Sequence, residues 1–395
     1  MFEIFPIKDP LSKVEGFYCD GVNVGLKTDG TEDVAFIRSD EPLLISSLFT
    51  TNKFQAAPLK HYRRYPKDFK TNFVLINSKN ANAMTGKRGV EDIDLLFENL
   101  KKRLPLINPV MSSTGVIGYP LDLSKISQAF DKFDFNAQNS NKAAKAIMTT
   151  DSFEKELGFK VVLENGDFFH IGGICKGAGM INPSMATMLC FIVTDAAIGK
   201  EDMDELLKRS VEKSFNNISV DGDTSTNDTV MLLCSRKSEA YDKKAFSYVL
   251  DMLTHEFAMM ILKDGEGSNK VVAFEVKGAK SQKDAVKISK ALSNSLLVKT
   301  ALFGEDPNWG RIASTIGASA DECDEESLRI KYDDLVVYSK EFPVLDKQRE
   351  KEATSILKKS SFKISCDLGI GKFSHTSYGC DLSYDYVKIN ADYRT

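Results

Sequence analysis

The chain has no C-x-x-C pair, only four histidines and one tryptophan, and no basic excess. Its seven cysteines (Cys19, Cys175, Cys190, Cys234, Cys323, Cys366 and Cys380) are odd in number and scattered, which signals neither a zinc site nor a disulfide framework. Cys190 and Cys234 lie inside apolar runs and read as core residues. A reducing compartment is expected, and the cytoplasm is the predicted location. Lys plus Arg is 52 against 56 Asp plus Glu, a net charge of −4. That balance argues against a nucleic-acid or anionic-membrane surface. No uncharged apolar run reaches the roughly 20 residues that span a bilayer. The opening MFEIFPIKDP lacks the charged and apolar regions of a secretory signal.

Cofactor signatures are missing too. There is no phosphate loop and no full G-x-G-x-x-G; Gly177-Ala178-Gly179 and Gly265-Glu266-Gly267 are fragments. No cofactor is therefore expected. His255-Glu256 resembles the start of a zinc-protease motif, but Met259 stands where the second histidine belongs. Asp221-Gly222-Asp223-Thr224-Ser225-Thr226-Asn227-Asp228 has the oxygen density of a calcium loop. Thr226 and Leu232, however, occupy the positions that need Gly and Glu. The segment reads as a turn held by side-chain caps, or as a loop facing a substrate or the precursor. No metal site is expected.

What is present is a soluble, globular profile: 395 residues, 42% hydrophobic and 27% charged. The length suits two domains or one large layered domain. Short runs rich in Val, Ile and Phe predict strands over 34–38, 43–49, 73–76, 188–194, 229–234, 270–276, 328–332, 361–367 and 383–389. Helical spacing places Met203, Leu206, Leu207, Val211 and Phe215 on one face, and Phe246, Val249, Leu250, Leu253 and Phe257 on another. Ile93, Leu96 and Leu100 mark a third helix. Ala285, Ile288, Leu292 and Leu296 mark a fourth. The class is α/β or α+β. No repeat and no low-complexity linker divides the chain; the polar stretch 131–141 is a loop.

One segment carries chemistry. Lys176 to Ala196 reads KGAGMINPSMATMLCFIVTDA: a Gly-rich loop, then Ala186, then Thr187 at the mouth of an apolar strand. A threonine hydroxyl needs a base to act as a nucleophile. If the chain is cut before Thr187, the freed α-amino group, with a reference pKa of about 8, supplies that base from the same residue. No histidine is then required. Spacing alone is equally satisfied by an ordinary loop–strand junction.

Further blocks point the same way. They are Asn77 to Ala83 (NSKNANA) with Thr85-Gly86, Ser113 to Gly118 (STGVIG) and Ala146 to Asp151 (AIMTTD). Ser219 to Val230 (SVDGDTSTNDTV), Gly304 to Ile312 (GEDPNWGRI) and Val387 to Thr395 (VKINADYRT) complete the set. In this order, and with the segment around Thr187, they resemble the ornithine acetyltransferase family, also called glutamate N-acetyltransferases. The resemblance implies a layered α/β/β/α sandwich of the N-terminal-nucleophile kind. It implies self-cleavage between Ala186 and Thr187 into an alpha chain, 1–186, and a beta chain, 187–395, with two of each associating. It also implies ping-pong transfer of acetyl from N2-acetylornithine to glutamate through an acetyl-threonine, in arginine biosynthesis.

The roles carried over are these. Thr187 is the nucleophile, and Thr114 with Gly115 forms the oxyanion hole. Lys176 grips a substrate carboxylate, and Thr149 or Thr150 hydrogen-bonds substrate, the sequence not saying which. Glu266 faces substrate amino groups. Asn390 and the terminal Thr395 contact substrate, with the alternation of Val387 and Ile389 suggesting a strand that docks the tail. Trp309 packs or braces a turn after Pro307. Two alternatives stand: a bifunctional enzyme that also takes acetyl from acetyl-CoA as co-substrate, and an N-terminal-nucleophile amidohydrolase that passes the acyl group to water.

Overall fold

The computed structural model describes residues 1–182 and 188–391. Ala186, Thr187 and Thr395 lie outside the described residues. The strands in chain order are β1 Phe2–Pro6, β2 Tyr18–Val22, β3 Val34–Phe49, β4 Lys70–Asn77, β5 Val110–Ser113, β6 Lys155–Leu163, β7 Phe168–Lys176 and β8 Leu189–Thr194. They continue with β9 Ile218–Ser219, β10 Thr229–Cys234, β11 Val271–Ala279, β12 Arg329–Tyr332, β13 Leu335–Tyr338, β14 Ser361–Asp367 and β15 Phe373–Cys380. They form a nine-stranded sheet, β1-β6-β7-β8-β10-β3-β4-β5 with β2 on β3, and a six-stranded sheet, β13-β12-β14-β11-β15-β9. The chain is mixed α/β, as its sequence predicts.

Two compact units hold these sheets. The first comprises Met1–Gly177, Ser184–Phe215 and Thr224–Ala258; the second comprises Ala178–Pro183, Asn216–Asp223 and Met259–Thr395. Their boundaries differ from the division expected at Ala186/Thr187, which is an expectation about cleavage and not about packing.

In the first unit, every residue of β8 and β10 is buried. That is why both read as unbroken apolar runs: they pair in parallel at the centre of the sheet, where neither face meets water. Phe191, Val193, Met231 and Leu233 pack with Ala143, Ala144 and Ile147 in one core. A second core joins Phe36, Phe73 and Leu75 to Ile93, Leu96 and Leu100, the predicted stripe of helix Gly86–Leu100. The two strands expected over 34–38 and 43–49 are one, β3. Its register against β4 shifts between Arg38 and Leu43, so Asp40-Glu41-Pro42 forms a bulge where the sequence suggests a turn.

Helix Lys243–Lys263 is long and apolar enough, by length and composition, to cross a membrane, although Asp251 and Glu256 interrupt its apolar run. Phe246, Val249, Leu250, Leu253 and Phe257 are nevertheless fully buried, and Phe246 sits 5.7 Å from the Phe169 ring on β7. It is built as a core helix.

In the second unit, Val272, Phe274 and Val276 of β11 pack against Ala285, Ile288 and Leu292 of helix Gln282–Asn294. That helix does not reach Leu296. Ser295 adopts an extended backbone and its hydroxyl accepts the Val298 amide, which starts a separate helix, Leu296–Phe303. Trp309 stacks on Tyr338 with ring centroids 4.3 Å apart and so packs against β13.

The predicted strand at 383–389 is a helix, Tyr384–Ala391. The Ser383 hydroxyl accepts the Asp385 amide, and Asp385 and Lys388 sit at the ends that suit the helix dipole. Alternation at Val387 and Ile389 predicts one buried face, yet no residue of this helix is buried. Two apolar residues were too few to define a period.

Candidate active site

In the first unit, β5 delivers Thr114 and Gly115 into a tight crossing with the Asn-rich segment. The Thr114 amide donates to Asn77 O at 3.0 Å and the Val116 amide to Lys79 O at 3.1 Å. Gly115 has φ +134°, and a Cβ there would lie 2.1 Å from the Lys79 carbonyl carbon, so only glycine fits. Among the described residues no hydrogen bond takes the Gly115 N–H, which leaves it as a donor between two committed amides. Buried side chains lock this crossing. Ser113 Oγ donates to Asn77 Oδ1 at 2.7 Å, Asn77 Nδ2 to Asn80 O at 2.9 Å, and Asn227 Nδ2 to both Ala81 O and Ser113 O at 2.6 and 2.8 Å.

Lys176 ends β7, buried, and its Nζ donates to Thr149 Oγ1 at 2.7 Å. The structure thus pairs Thr149, rather than Thr150, with Lys176. Asp151 anchors the pair. Its Oδ2 accepts the Thr149 amide at 3.0 Å and lies 3.8 Å from Lys176 Nζ. Its Oδ1 accepts the Gly177 amide at 2.7 Å and Lys155 Nζ at 2.8 Å. Burial alone would raise the Asp151 carboxyl; the Lys176 and Lys155 ammoniums and the Thr149 amide instead hold it well below the usual carboxylate range. It is therefore ionised. Lys176 lies beyond hydrogen-bond reach of Asp151, so its donors stay directed at Thr149 and at whatever enters beside it.

Met188, the residue after Thr187, is held from both sides. Its amide donates to Asp228 Oδ1 at 3.3 Å and its carbonyl accepts the Thr229 amide at 3.1 Å. Asp228 is fully buried, its Oδ2 has no hydrogen-bond partner among the described residues, and burial pushes its carboxyl well above the usual range.

In the second unit, Glu266 and Asn390 are brought together: Asn390 Nδ2 donates to Glu266 Oε2 at 2.7 Å. The Glu266 amide donates to Ala178 O at 2.9 Å. A Cβ on Gly179 would lie 2.4 Å from Glu266 Oε2, so this glycine makes room for the carboxylate. The Asp221 carboxylate accepts the Met180 and Ile181 amides at 2.6 and 2.9 Å and the Tyr386 hydroxyl at 3.2 Å. Among the described residues no three His, Cys, Asp or Glu side chains gather to hold a metal.

Asp151, Lys155, Asn77, Asn227 and Asp228 were not singled out by sequence reasoning. Four of them lie within the quoted blocks at 77–83, 146–151 and 219–230, and that is the signal that could have found them. Lys155 carries no such mark.

Comparison with known proteins closes the description. The ArgJ family model matches residues 18–395. The arginine biosynthesis bifunctional protein ArgJ of Wolinella succinogenes is 55% identical over 396 residues, covering 100% of each chain. The glutamate N-acetyltransferase of Methanocaldococcus jannaschii is 44% identical over 394 residues, covering 94% of this chain and 97% of its own. A crystal structure of the arginine biosynthesis bifunctional protein argJ from Bacillus halodurans is 29% identical, covers 48% of this chain and 100% of that one, and aligns at a TM-score of 0.44.

Proposed function

This chain belongs to the ArgJ family, and on that premise we propose that it moves acetyl from N2-acetylornithine to glutamate through an acetyl-threonine on Thr187. The observation that carries the reading is the buried Lys176–Thr149 pair fixed by Asp151, which offers a cation and a hydroxyl to a carboxylate substrate. It is an acetyltransferase of arginine biosynthesis.

Maturation comes first. Thr187 Oγ adds to the Ala186 carbonyl carbon, the C–N bond breaks, and the nitrogen takes the hydroxyl proton, leaving an ester and a free amine. Water then hydrolyses the ester to an Ala186 carboxylate and a free Thr187 hydroxyl. In turnover the α-amino group takes the Oγ proton as Oγ attacks the acetyl carbonyl. The Thr114 hydroxyl and Gly115 N–H receive the oxyanion; one such donor is worth about 3 kcal/mol of transition-state stabilisation. The proton passes to the departing ornithine amine. Glutamate's amine then attacks the acetyl ester, and the same groups run in reverse to give N-acetylglutamate.

Lys176 and Thr149 hold the substrate carboxylate, Glu266 and Asn390 meet the amino end, and Thr395 joins them from the chain terminus. The cleaved products stay together as two alpha and two beta chains in the cytoplasm. No cofactor takes part.

The test is product stoichiometry. Purified protein with N2-acetylornithine and glutamate should give ornithine and N-acetylglutamate in equal amounts. Free acetate without N-acetylglutamate would identify the amidohydrolase instead. N-acetylglutamate from acetyl-CoA and glutamate alone would add a second activity; the Wolinella relative is named bifunctional.

The packing at Gly179 makes a separate prediction. Gly179→Ala should push the Glu266 carboxylate aside at little cost in stability, because the atom it meets ends a flexible side chain. The expected result is an unchanged melting midpoint with kcat/KM for acetylornithine down about tenfold, the equivalent of one displaced hydrogen-bonded contact. Wild-type kinetics in this variant would remove Glu266 from the substrate site.

A further inference from the structure

The block Gly304 to Ile312 has no task in the transfer reaction. In the second unit, one of its residues reaches the loop that carries Glu266. β11 and β15 run antiparallel with Val271 opposite Cys380. The residues just before β11 and just after β15 therefore lie side by side. The former are loop 265–270, with Glu266 in it. The latter, 381–383, lead straight into helix Tyr384–Ala391, which carries Asn390.

Two carboxylates hold the loop. Asp381 is buried; its Oδ1 accepts the Asn269 and Lys270 amides at 2.8 and 2.9 Å, and its Oδ2 accepts Asn269 Nδ2 at 3.1 Å. Glu305 Oε1 accepts Lys270 Nζ at 3.2 Å. Lys270 is thus gripped at its backbone and at its side chain. Ser383 Oγ donates to Gly267 O at 2.6 Å, and a Cβ on Gly267 would lie 2.5 Å from the Tyr386 amide nitrogen. Loop and helix start therefore touch one residue from Glu266.

We propose that Asp381 and Glu305 are positioning residues for Glu266: they fix loop 265–270 so that its carboxylate meets both Asn390 and the substrate's amine. The inference rests on the substrate role given to Glu266 above.

Two features support positioning over a plain turn. Glu305 adopts φ +54°, a left-handed backbone that a residue with a side chain holds only where its surroundings impose it. Glycine would sit there freely, so what the strained position delivers is the carboxylate on Lys270. Asp381 is the second feature. Among the described residues, every hydrogen bond to its carboxylate comes from Asn269 or Lys270, whereas a turn aspartate serves its own backbone.

The experiment compares two acetyl donors, N2-acetylornithine and N2-acetylnorvaline, which is the same molecule without the side-chain amine. Only the first can use Glu266. In Glu266→Gln, Asp381→Asn and Glu305→Gly, kcat/KM for acetylornithine should fall about tenfold and that for acetylnorvaline should stay within about twofold of wild type. A general loss of structure would lower both alike. Glu305→Gly removes the carboxylate while suiting the left-handed backbone, so its melting midpoint should hold.

If Asp381→Asn fails to melt cooperatively, Glu305→Gly carries the test. Folded anchor variants that keep the wild-type preference for acetylornithine, while Glu266→Gln loses it, would overturn the anchors alone. Anchor variants that slow both donors equally would do the same. A preference that Glu266→Gln leaves intact would refute the placement of Glu266, and this inference with it.

Discussion

Thr187→Ala is expected to persist as a single 43.9 kDa chain and to lose acetyl transfer by a factor on the order of a thousand or more. The substitution removes the hydroxyl needed twice, once to open the Ala186–Thr187 bond and once to carry acetyl. Retaining the bond also denies Thr187 its free amine. The measurement is intact mass beside an acetylornithine–glutamate assay. Two fragments meeting at Ala186/Thr187 in wild type, and none in the variant, are the expected pattern. A cleaved or active variant would refute the threonine mechanism. Thr187→Ser separates the two duties, because it keeps a hydroxyl; it should cut and should trap acetyl.

The second large effect concerns stability. Asp151→Ala would leave Lys155 and Lys176, both buried, without the carboxylate that balances them. Removing one partner of a buried ion pair costs about 3–5 kcal/mol, and the Thr149 and Gly177 amides lose their acceptor as well. A fall of that size in unfolding free energy, read from denaturant midpoints, is the expected outcome. A loss below about 1 kcal/mol would mean that water or another anion replaces the carboxylate.

The same residue sets a pH dependence in wild type. Its folded carboxyl titrates well below the ordinary aspartate value of about 4. The stability it contributes is therefore fully present above that value and is lost as pH falls below it. Asp151→Asn should flatten the acid limb of the stability curve.

Much of this was legible in the sequence, and the reasons differ by element. β8 and β10 were readable because central parallel strands are apolar on both faces, and helix Gly86–Leu100 because Ile93, Leu96 and Leu100 keep helical spacing. β6 and β7 escaped notice. Gly158, Gly172 and Gly173 break their apolar pattern, and these glycines are there because Pro10 and the Phe191 carbonyl approach too closely for a Cβ. The terminal helix was misread because it buries nothing and so shows no period.

At the site, Lys176 was named from a family block and Glu266 from its place between Gly265 and Gly267, and their partners Thr149 and Asn390 were named too; Asp151, which fixes the Lys176–Thr149 pair, was not. A buried carboxylate such as Asp151 is defined by what surrounds it, and Lys155, its nearest cation, is four residues away along a chain with many lysines. Spacing alone did not separate Thr149 from Thr150; in the structure it is Thr149 that accepts the hydrogen bond of Lys176.

The order of strands in the larger sheet has a consequence for the life history of the molecule. β8 and β10 follow Thr187 in the chain yet lie between β7 and β3, which precede it. Under the proposed scission, the second product supplies two strands that the first encloses. Before cutting, these pieces find one another as parts of one tether; afterwards, once unfolded, they meet only by diffusion, and the first product alone would present two bare strand edges. Maturation is then a ratchet: the uncut chain should refold from denaturant, while the cut protein, once melted, should aggregate. Fragments 1–186 and 187–395 produced separately should not reconstitute the enzyme on mixing.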